Sequence, residues 1–206
     1  MSAEVLVVQT GTANIASVLA GLRRAGARPV VANDPARLAR ADRVVLPGVG
    51  ALAAAMSRLE RDDLTGVLRE RVTEGRPTLA VCLGLQLLCR GSEESEGVAG
   101  LGILETEAGR FRGEVRVPQM GWNRVVPGKD CRYLRPGYAY FANSYRLANA
   151  PESWRTAWSD HGGPFVAAVE KGEVLACQFH PELSGAWGRD LLVRWLAGSS
   201  NGGSSC

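Results

Sequence analysis

Residues 77–88 read Pro-Thr-Leu-Ala-Val-Cys-Leu-Gly-Leu-Gln-Leu-Leu, and this stretch decides the fold. The apolar run after Pro77 predicts a short buried strand that ends at Cys82, and the apolar spacing beyond Gly84 is helical. A cysteine at the corner between a strand and a helix lies above the sheet edge, where α/β enzymes place a nucleophile. The free backbone N–H groups of the following helix favour its thiolate. An inert core cysteine is the alternative interpretation, and this segment alone leaves both open.

The bulk properties limit the classes of protein to consider. The chain has 206 residues, 46% of them hydrophobic and 22% charged, which predicts one globular domain over about 1–197 and a disordered Gly/Ser-rich tail at 198–206. The net charge is only +3 and the arginines are scattered, which argues against nucleic-acid binding. No apolar run or leader suggests a membrane, so we expect a cytoplasmic protein. The five cysteines lack metal-site spacing, and we expect no metal or cofactor.

The first half of the chain alternates predicted strands with predicted helices. Strands are predicted at 4–8, 28–32 and 43–46, and a fourth leads to Cys82. Helices are predicted at about 15–26, after Gly50 and at about 63–74. This alternation predicts an α/β fold, with a mostly parallel, twisted central sheet flanked by helices.

The second half reads as shorter strands separated by turns, which indicates a smaller antiparallel sheet. These strands are predicted at 102–107, 115–117, 123–126, 138–145 and 156–158. The clearest hairpin joins 165–170 to 174–179 through Lys171-Gly172-Glu173. A helix is predicted to close the fold at 187–196.

A second group of reactive side chains lies at Phe179-His180-Pro181-Glu182. His180 directly follows an apolar strand, and ligands of parallel sheets bind beyond the carboxyl ends of strands. Pro181 fixes the chain so that the Glu182 carboxylate can lie beside the imidazole. A cysteine nucleophile needs a base, and the base needs an orienting group, so Cys82, His180 and Glu182 are candidates for a triad. A structural histidine and a surface carboxylate remain the alternatives.

An acyl-transfer cysteine also needs N–H donors for the developing oxyanion. The N–H of Leu83 follows the nucleophile directly, and the glycine-flanked loop at Val49 can turn a second N–H inward. A plain strand-to-helix turn is the alternative interpretation of that loop.

With these motifs in view, the chain closely resembles a class I (triad) glutamine amidotransferase, a flavodoxin-like α/β fold. More narrowly, it resembles the glutaminase subunit of imidazole glycerol phosphate synthase, from histidine biosynthesis. The resemblance covers about 5–196. The motifs that carry it are Leu46-Pro47-Gly48-Val49-Gly50, Cys82-Leu83-Gly84-Leu85-Gln86-Leu87-Leu88, Ser92-Glu93-Glu94, Pro118-Gln119-Met120-Gly121-Trp122-Asn123, Ser144-Tyr145 and Phe179-His180-Pro181-Glu182.

The resemblance implies a role for each matching residue. Cys82 would attack the side-chain amide of glutamine and form a glutamyl thioester. His180, oriented by Glu182, would protonate the departing ammonia and then activate water. Two backbone N–H groups would bind the oxyanion, those of Val49 and Leu83. Five residues would hold the amino-acid head of glutamine: Gly50, Gln86, Glu94, Ser144 and Tyr145.

The resemblance also implies a partner, a separate (β/α)₈-barrel cyclase subunit that forms a heterodimer and receives the ammonia. In this family the peptide beside Val49 is thought to reorient when the partner is occupied, so the free subunit is nearly idle. The residues implied to face the partner are Pro118, Met120, Trp122 and Tyr140.

Four positions depart from the family pattern. Ala80 stands in place of a glycine, Gln119 and Asn143 in place of histidines, and Leu183 in place of a lysine or arginine. The last three are expected on or near the partner-facing side, so we expect an active enzyme with altered partner communication.

Three other functions remain as alternatives. A glutaminase subunit of another synthase, such as a chorismate-using one, typically carries Pro-Gly-Pro-Gly and a histidine where this chain has Val49 and Leu85. A catalytically silent binding or regulatory relative would have kept the fold alone. An unrelated cysteine hydrolase would have no need for Gln86 and Glu94.

Overall fold

The computed structural model describes residues 3–11 and 14–198. The strands are β1 (Glu4–Val7), β2 (Arg28–Val31), β3 (Val44–Gly48), β4 (Thr78–Cys82), β5 (Cys89–Ser92), β6 (Leu104–Arg110), β7 (Gln119–Pro127), β8 (Gly137–Asn143), β9 (Tyr145–Arg146), β10 (Arg155–Asp160), β11 (Pro164–Lys171) and β12 (Val174–Cys177). The helices are α1 (Ile15–Arg24), α2 (Pro35–Arg40), α3 (Leu52–Arg61), α4 (Thr65–Thr73), α5 (Leu83–Leu87) and α6 (Gly185–Ala197), and a 3₁₀ turn, Pro181–Leu183, precedes α6.

Nine strands form one large sheet, in the order β2-β1-β3-β4-β12-β11-β10-β7-β8. The first five run parallel, and the remaining four continue the sheet antiparallel. β5, β6 and β9 form a small second sheet. The predicted α/β class is confirmed, with a mostly parallel core, flanking helices and a smaller sheet. That smaller sheet is mixed rather than antiparallel, because β5 pairs with β6 in parallel and β6 with β9 antiparallel, and most strands of the second half extend the large sheet. The hairpin of β11 and β12 is also confirmed, because Lys171 pairs with Val174.

Side chains of the central strands alternate between two apolar layers, one on each face of the sheet. Leu46 of β3 and Ala80 of β4 belong to one layer, whereas their neighbours Val45 and Val81 belong to the other. β3 and β4 are buried along their whole length. This burial on both faces explains why their sequences are continuous apolar runs rather than alternating patterns.

Some elements differ from the sequence-based expectations. Helix α2 was not predicted, although Asp34 caps its N-terminus by accepting a hydrogen bond from the N–H of Arg37, and Pro35 starts its first turn. The strand predicted at 115–117 is wrong, because Val115 and Val117 pack against the core from a segment without strand pairing. These two β-branched residues pack against the core without belonging to a strand.

Two predictions concern the ends and the environment of the chain. The predicted disordered tail lies outside the described residues, apart from Gly198. Among the described residues, no helix combines the length and apolar character that a membrane crossing requires.

Candidate active site

The predicted corner at Cys82 is present and is tightly constrained. Cys82 ends β4 with φ +56° and ψ −109°, a strained conformation for a residue other than glycine, and α5 begins at the next residue. Gly84 lies so close to β3 that a Cβ atom there would sit 2.1 Å from the carbonyl oxygen of Leu46. A side chain at this position is excluded, and the close packing of α5 on β3 holds the corner in place.

The sheet order brings His180 to the same edge as Cys82. β12 pairs with β4 in parallel, and Cys177 lies opposite Val81. Cys82 comes directly after Val81 on β4, and His180 comes shortly after Cys177 on the neighbouring strand, so both lie at the same end of the sheet. Nδ1 of His180 lies 2.9 Å from Oε1 of Glu182, and both side chains are more than nine-tenths buried. The predicted grouping of these three residues is therefore present.

The surroundings of His180 favour its protonated form. Burial alone lowers the pKa of His180, but hydrogen bonds with Cys82 and Glu182, together with their negative charges, raise that pKa to about 10. These contacts favour the imidazolium over the neutral imidazole beside the sulfur and the carboxylate. A charged imidazole is ready to give a proton to a leaving group.

Helix α1 fixes the position of Glu182. A Cβ atom at Gly21 would lie 2.6 Å from Cβ of Glu182, so only glycine permits this approach of α1. Arg24, one turn further along α1, donates a hydrogen bond of 3.1 Å to the carbonyl oxygen of Glu182. The backbone and Cβ of Glu182 are thus held by a neighbouring helix.

Ser184 joins the histidine segment to the edge strand β8. Its hydroxyl donates to the carbonyl oxygen of His180 at 2.6 Å and accepts from the N–H of Tyr140 at 2.9 Å. The N–H of His180 in turn donates to the carbonyl oxygen of Tyr140 at 2.9 Å. The backbone of His180 is therefore hydrogen-bonded to β8 both directly and through a buried serine.

A cavity of about 300 Å³ opens above Cys82. Its lining includes His180 and every residue predicted for the oxyanion and for the glutamine head: Val49, Gly50, Leu83, Gln86, Glu94, Ser144 and Tyr145. These residues come from five separate segments of the chain. The structure therefore brings the predicted site residues together in one pocket.

The loop after β5 is docked on the start of α3. Glu94 Oε2 accepts a hydrogen bond from the N–H of Leu52 at 3.2 Å, and Ser95 Oγ accepts from the N–H of Ala53 at 3.2 Å. A carboxylate at a helix N-terminus is favoured by the free N–H groups and by the helix dipole. This contact places Glu94 at the cavity.

Asn143, expected on or near the partner-facing side, is a pocket residue. It lines the cavity, is 5% exposed, and its Nδ2 donates to the carbonyl oxygen of Tyr145 at 3.0 Å. Gln119 lies directly opposite Asn143 on β7 and is equally buried. Both lie on the strands expected near the partner, but neither side chain is exposed there, because alternation along β7 turns Gln119 inward and Met120 outward. Of the four departures from the family pattern, only Leu183 is exposed.

The outer face of β7 and β8 carries exposed apolar side chains. Met120 is 67% exposed, Trp122 58% and Tyr138 60%, and Tyr140 packs edge-on against Trp122. Pro118 is also exposed, directly before β7. A cluster of large exposed apolar residues of this kind marks an interaction surface. The residues predicted to face a partner thus share one accessible face, and Tyr138 joins them without having been predicted.

A second, smaller cavity of about 190 Å³ adjoins the first one. The two cavities share Val49, Ala142 and His180, and the second also reaches Glu182 and the exposed Leu183. In the described part of the chain, no group of three or more His, Cys, Asp or Glu residues is placed to hold a metal ion.

Comparisons with known proteins agree on the family. The family profile described as glutamine amidotransferase class-I matches residues 6–195. The imidazole glycerol phosphate synthase subunit HisH of Symbiobacterium thermophilum is 39% identical over 197 residues, which cover 94% of this chain and 93% of that protein. The HisH subunits of Salmonella typhimurium and Escherichia coli are 40% identical over 197 residues, which cover 93% of this chain and 98% of each relative.

Solved structures agree on the fold. A crystal structure described as a glutamine amidotransferase has a TM-score of 0.74 at 20% identity, covering 93% of this chain and 96% of that one. The glutaminase domain of Trypanosoma brucei CTPS has a TM-score of 0.69 at 15% identity, covering 97% and 94% of the two chains. The profile match and the near-full-length relatives establish that this chain belongs to the class-I glutamine amidotransferases, in the branch of the HisH subunits of imidazole glycerol phosphate synthase.

Proposed function

We propose that the chain is the glutaminase subunit of an imidazole glycerol phosphate synthase: it hydrolyses glutamine to glutamate and ammonia. The observation that carries this proposal is the 300 Å³ cavity in which Cys82 and His180, itself hydrogen-bonded to Glu182, meet the predicted glutamine-binding residues. The names of the relatives support the choice of synthase. We also propose that residues 1–197 form one domain and that the protein is cytoplasmic.

The first half of the reaction forms a thioester. The Cys82 thiolate adds to the side-chain amide carbon of glutamine, and the carbonyl oxygen takes up the negative charge. The N–H groups of Leu83 and Val49 bind that oxyanion. The C–N bond then breaks, and the imidazolium of His180 gives its proton to the departing ammonia.

The second half of the reaction regenerates the thiolate. His180, now neutral, takes a proton from a water molecule that attacks the thioester carbon, and glutamate leaves as the C–S bond breaks. Glu182 accepts a hydrogen bond from Nδ1 of His180, which leaves Nε2 free to exchange protons at the reaction centre.

The pocket supplies the groups that an amino-acid head requires. Glu94 offers a carboxylate for the α-ammonium group, and the backbone at Gly50, Ser144 and Tyr145 can bind the α-carboxylate and ammonium. Gln86 adds a side-chain amide to the lining of the pocket. The ammonia product is proposed to leave through the smaller adjoining cavity toward Leu183, because the two cavities share His180.

The ammonia is proposed to enter a separate (β/α)₈-barrel cyclase subunit that docks on the apolar face of β7 and β8. Pro118, Met120, Trp122 and Tyr140 would form that contact. Large exposed aromatic and methionine side chains on a flat face are typical of interface cores.

Trapping of the nucleophile tests the chemistry directly. A glutamine-like electrophile should modify Cys82 in the intact chain, glutamine should protect Cys82 from it, and Cys82→Ala should abolish both modification and hydrolysis. Cys131, half-buried and outside the cavity, provides the control variant Cys131→Ala, which should react normally. Hydrolysis that persists in Cys82→Ala would contradict the proposal.

A further inference from the structure

Gln178 has no part in the mechanism above, yet its side chain contacts the nucleophile. It lies between β12 and His180 and is 0% exposed. Its side-chain Nε2 donates to Sγ of Cys82 at 3.7 Å, a normal length for a hydrogen bond to sulfur. A buried amide in contact with a reactive sulfur needs an explanation beyond packing.

The orientation of the Gln178 amide follows from a chain of hydrogen bonds that begins at a backbone carbonyl oxygen. The backbone carbonyl oxygen of Tyr145 only accepts hydrogen bonds, and Nε2 of Gln86 donates to it at 3.5 Å. The same Nε2 donates to Oε1 of Gln178 at 3.2 Å. With its oxygen directed at Gln86, Gln178 has its NH₂ group left for Cys82. The chain of hydrogen bonds therefore presents a donor to the sulfur.

We propose that Gln178 is a positioning residue that holds the sulfur of Cys82 and favours its thiolate form. This inference rests on the proposed function, because it concerns the nucleophile of that reaction. A hydrogen bond donated to an ionised acceptor stabilises it more than it stabilises the neutral form. The effect is larger in a buried site, where water cannot supply a replacement donor.

Other ionisable groups also face Cys82 and must stay constant in a test. His180 contacts the sulfur, Glu182 lies behind the imidazole, and Glu94 and Tyr145 line the cavity. Cys177 lies on the neighbouring strand β12. A change at Gln178 to an apolar residue alters none of these groups.

The experiment compares Gln178→Met, which keeps the approximate volume but removes the donor, with Gln9→Met, the same change at an exposed glutamine. Alkylation of Cys82 by iodoacetamide is followed by peptide mass spectrometry across a range of pH, with thermal unfolding as the folding control. We expect alkylation of Gln178→Met at neutral pH to fall about three- to tenfold. The pH of half-maximal alkylation should move upward, and Gln9→Met should behave like the parent chain.

An unchanged rate and an unchanged pH profile in folded Gln178→Met would overturn this inference alone, provided that the parent chain reacts and hydrolyses glutamine. A parent chain that neither reacts at Cys82 nor hydrolyses glutamine would overturn the proposed function and this inference with it. If Gln178→Met does not fold, the parent chain supplies the answer by NMR. The side-chain amide resonances of Gln178 should follow the pH profile of Cys82 alkylation, and resonances independent of pH would contradict the proposal.

Discussion

In the proposed mechanism, Glu182 acts only through His180, and its effect is electrostatic as well as geometric. The carboxylate contributes to raising the pKa of His180 from 6.5 to about 10. A pKa that is higher in the folded than in the unfolded protein means that protonation of His180 stabilises the fold. This stabilisation is complete below about pH 6.5 and is lost as the pH rises through about 10.

Glu182→Gln should therefore be destabilising in a pH-dependent way. Gln keeps the shape but removes the charge, so we expect the free energy of unfolding to drop by about 1–3 kcal/mol below pH 6.5. The difference from the parent chain should shrink as the pH approaches about 10. Urea unfolding at a series of pH values measures this difference. Glu60→Gln, exposed on α3, is the matched control and should differ little at any pH, whereas a constant deficit in Glu182→Gln would rule out the electrostatic account.

Gly21 is a second single-residue constraint on the site. Gly21→Ala places a methyl group 2.6 Å from Cβ of Glu182, so α1 or the 3₁₀ turn must shift. We expect a loss of about 1–3 kcal/mol in unfolding free energy and a lower kcat for glutamine hydrolysis.

The control for Gly21→Ala is Gly66→Ala in α4, where an added Cβ meets nothing within 4 Å. That substitution should stabilise the protein by about 0.4–1 kcal/mol, because alanine is the better helix former. Equal effects of the two substitutions on chemical unfolding would contradict the proposed close approach at Glu182.

The three proposed catalytic residues could be picked out from the sequence because each one carries a local signal. Cys82 lies at a strand-to-helix corner, and His180 and Glu182 are separated only by Pro181. Gln178 gave no such signal, since its contact with Cys82 joins residues 96 positions apart and depends on the order of β4 and β12 in the sheet. In the sequence alone, a glutamine that becomes buried cannot be distinguished from an exposed one.

At the level of elements, the contact between β8 and the segment from His180 to Ser184 links the outer face to the site. Tyr140 belongs to the strand that carries the apolar face, and its backbone exchanges hydrogen bonds with His180 and Ser184. A displacement of β8 would therefore move the backbone of His180, the proposed base.

Ser184→Ala should weaken this link. It leaves the N–H of Tyr140 without its acceptor in a part-buried position, which should cost about 1–3 kcal/mol of unfolding free energy and lower kcat. Thermal unfolding and steady-state kinetics measure both effects. Ser57→Ala on the exposed side of α3 should change neither, and a Ser184→Ala variant as stable and active as that control would show the link to be unimportant.

Helices and strands were predictable where their residues form a clear local pattern, and less so elsewhere. The buried runs of β1, β3 and β4 were evident from composition, as was the turn that closes β11 and β12. Helix α2 is a six-residue element, too short for periodicity to detect, although Asp34 and Pro35 mark its start. The side of the sheet that Gln119 faces follows from strand alternation, but only once β7 is known to begin there.

For the whole molecule, the apolar face of β7 and β8 is the proposed docking surface. Trp122 is its largest aromatic side chain, 58% exposed and edge-on to Tyr140. Trp122→Ala should weaken binding of the cyclase subunit by a factor of about 30 or more, because aromatic side chains that become buried in an interface are frequent hot spots. Titration calorimetry measures the affinity.

Basal hydrolysis of glutamine should remain in Trp122→Ala, since the indole does not line the cavity. Val193→Ala, a similarly exposed apolar residue on α6, is the control and should bind the partner normally. Loss of affinity in both variants, or in neither, would place the partner elsewhere.

The most direct test of the central claim is the rate of glutamine hydrolysis by this chain, alone and with a cyclase subunit and its nucleotide ligand. We expect slow hydrolysis by the isolated chain, a higher rate in the liganded complex, and no hydrolysis by Cys82→Ala in either state. An absence of hydrolysis in both states, with Cys82 unreactive toward alkylation, would leave the family assignment standing and contradict the claim that this site is a working glutaminase.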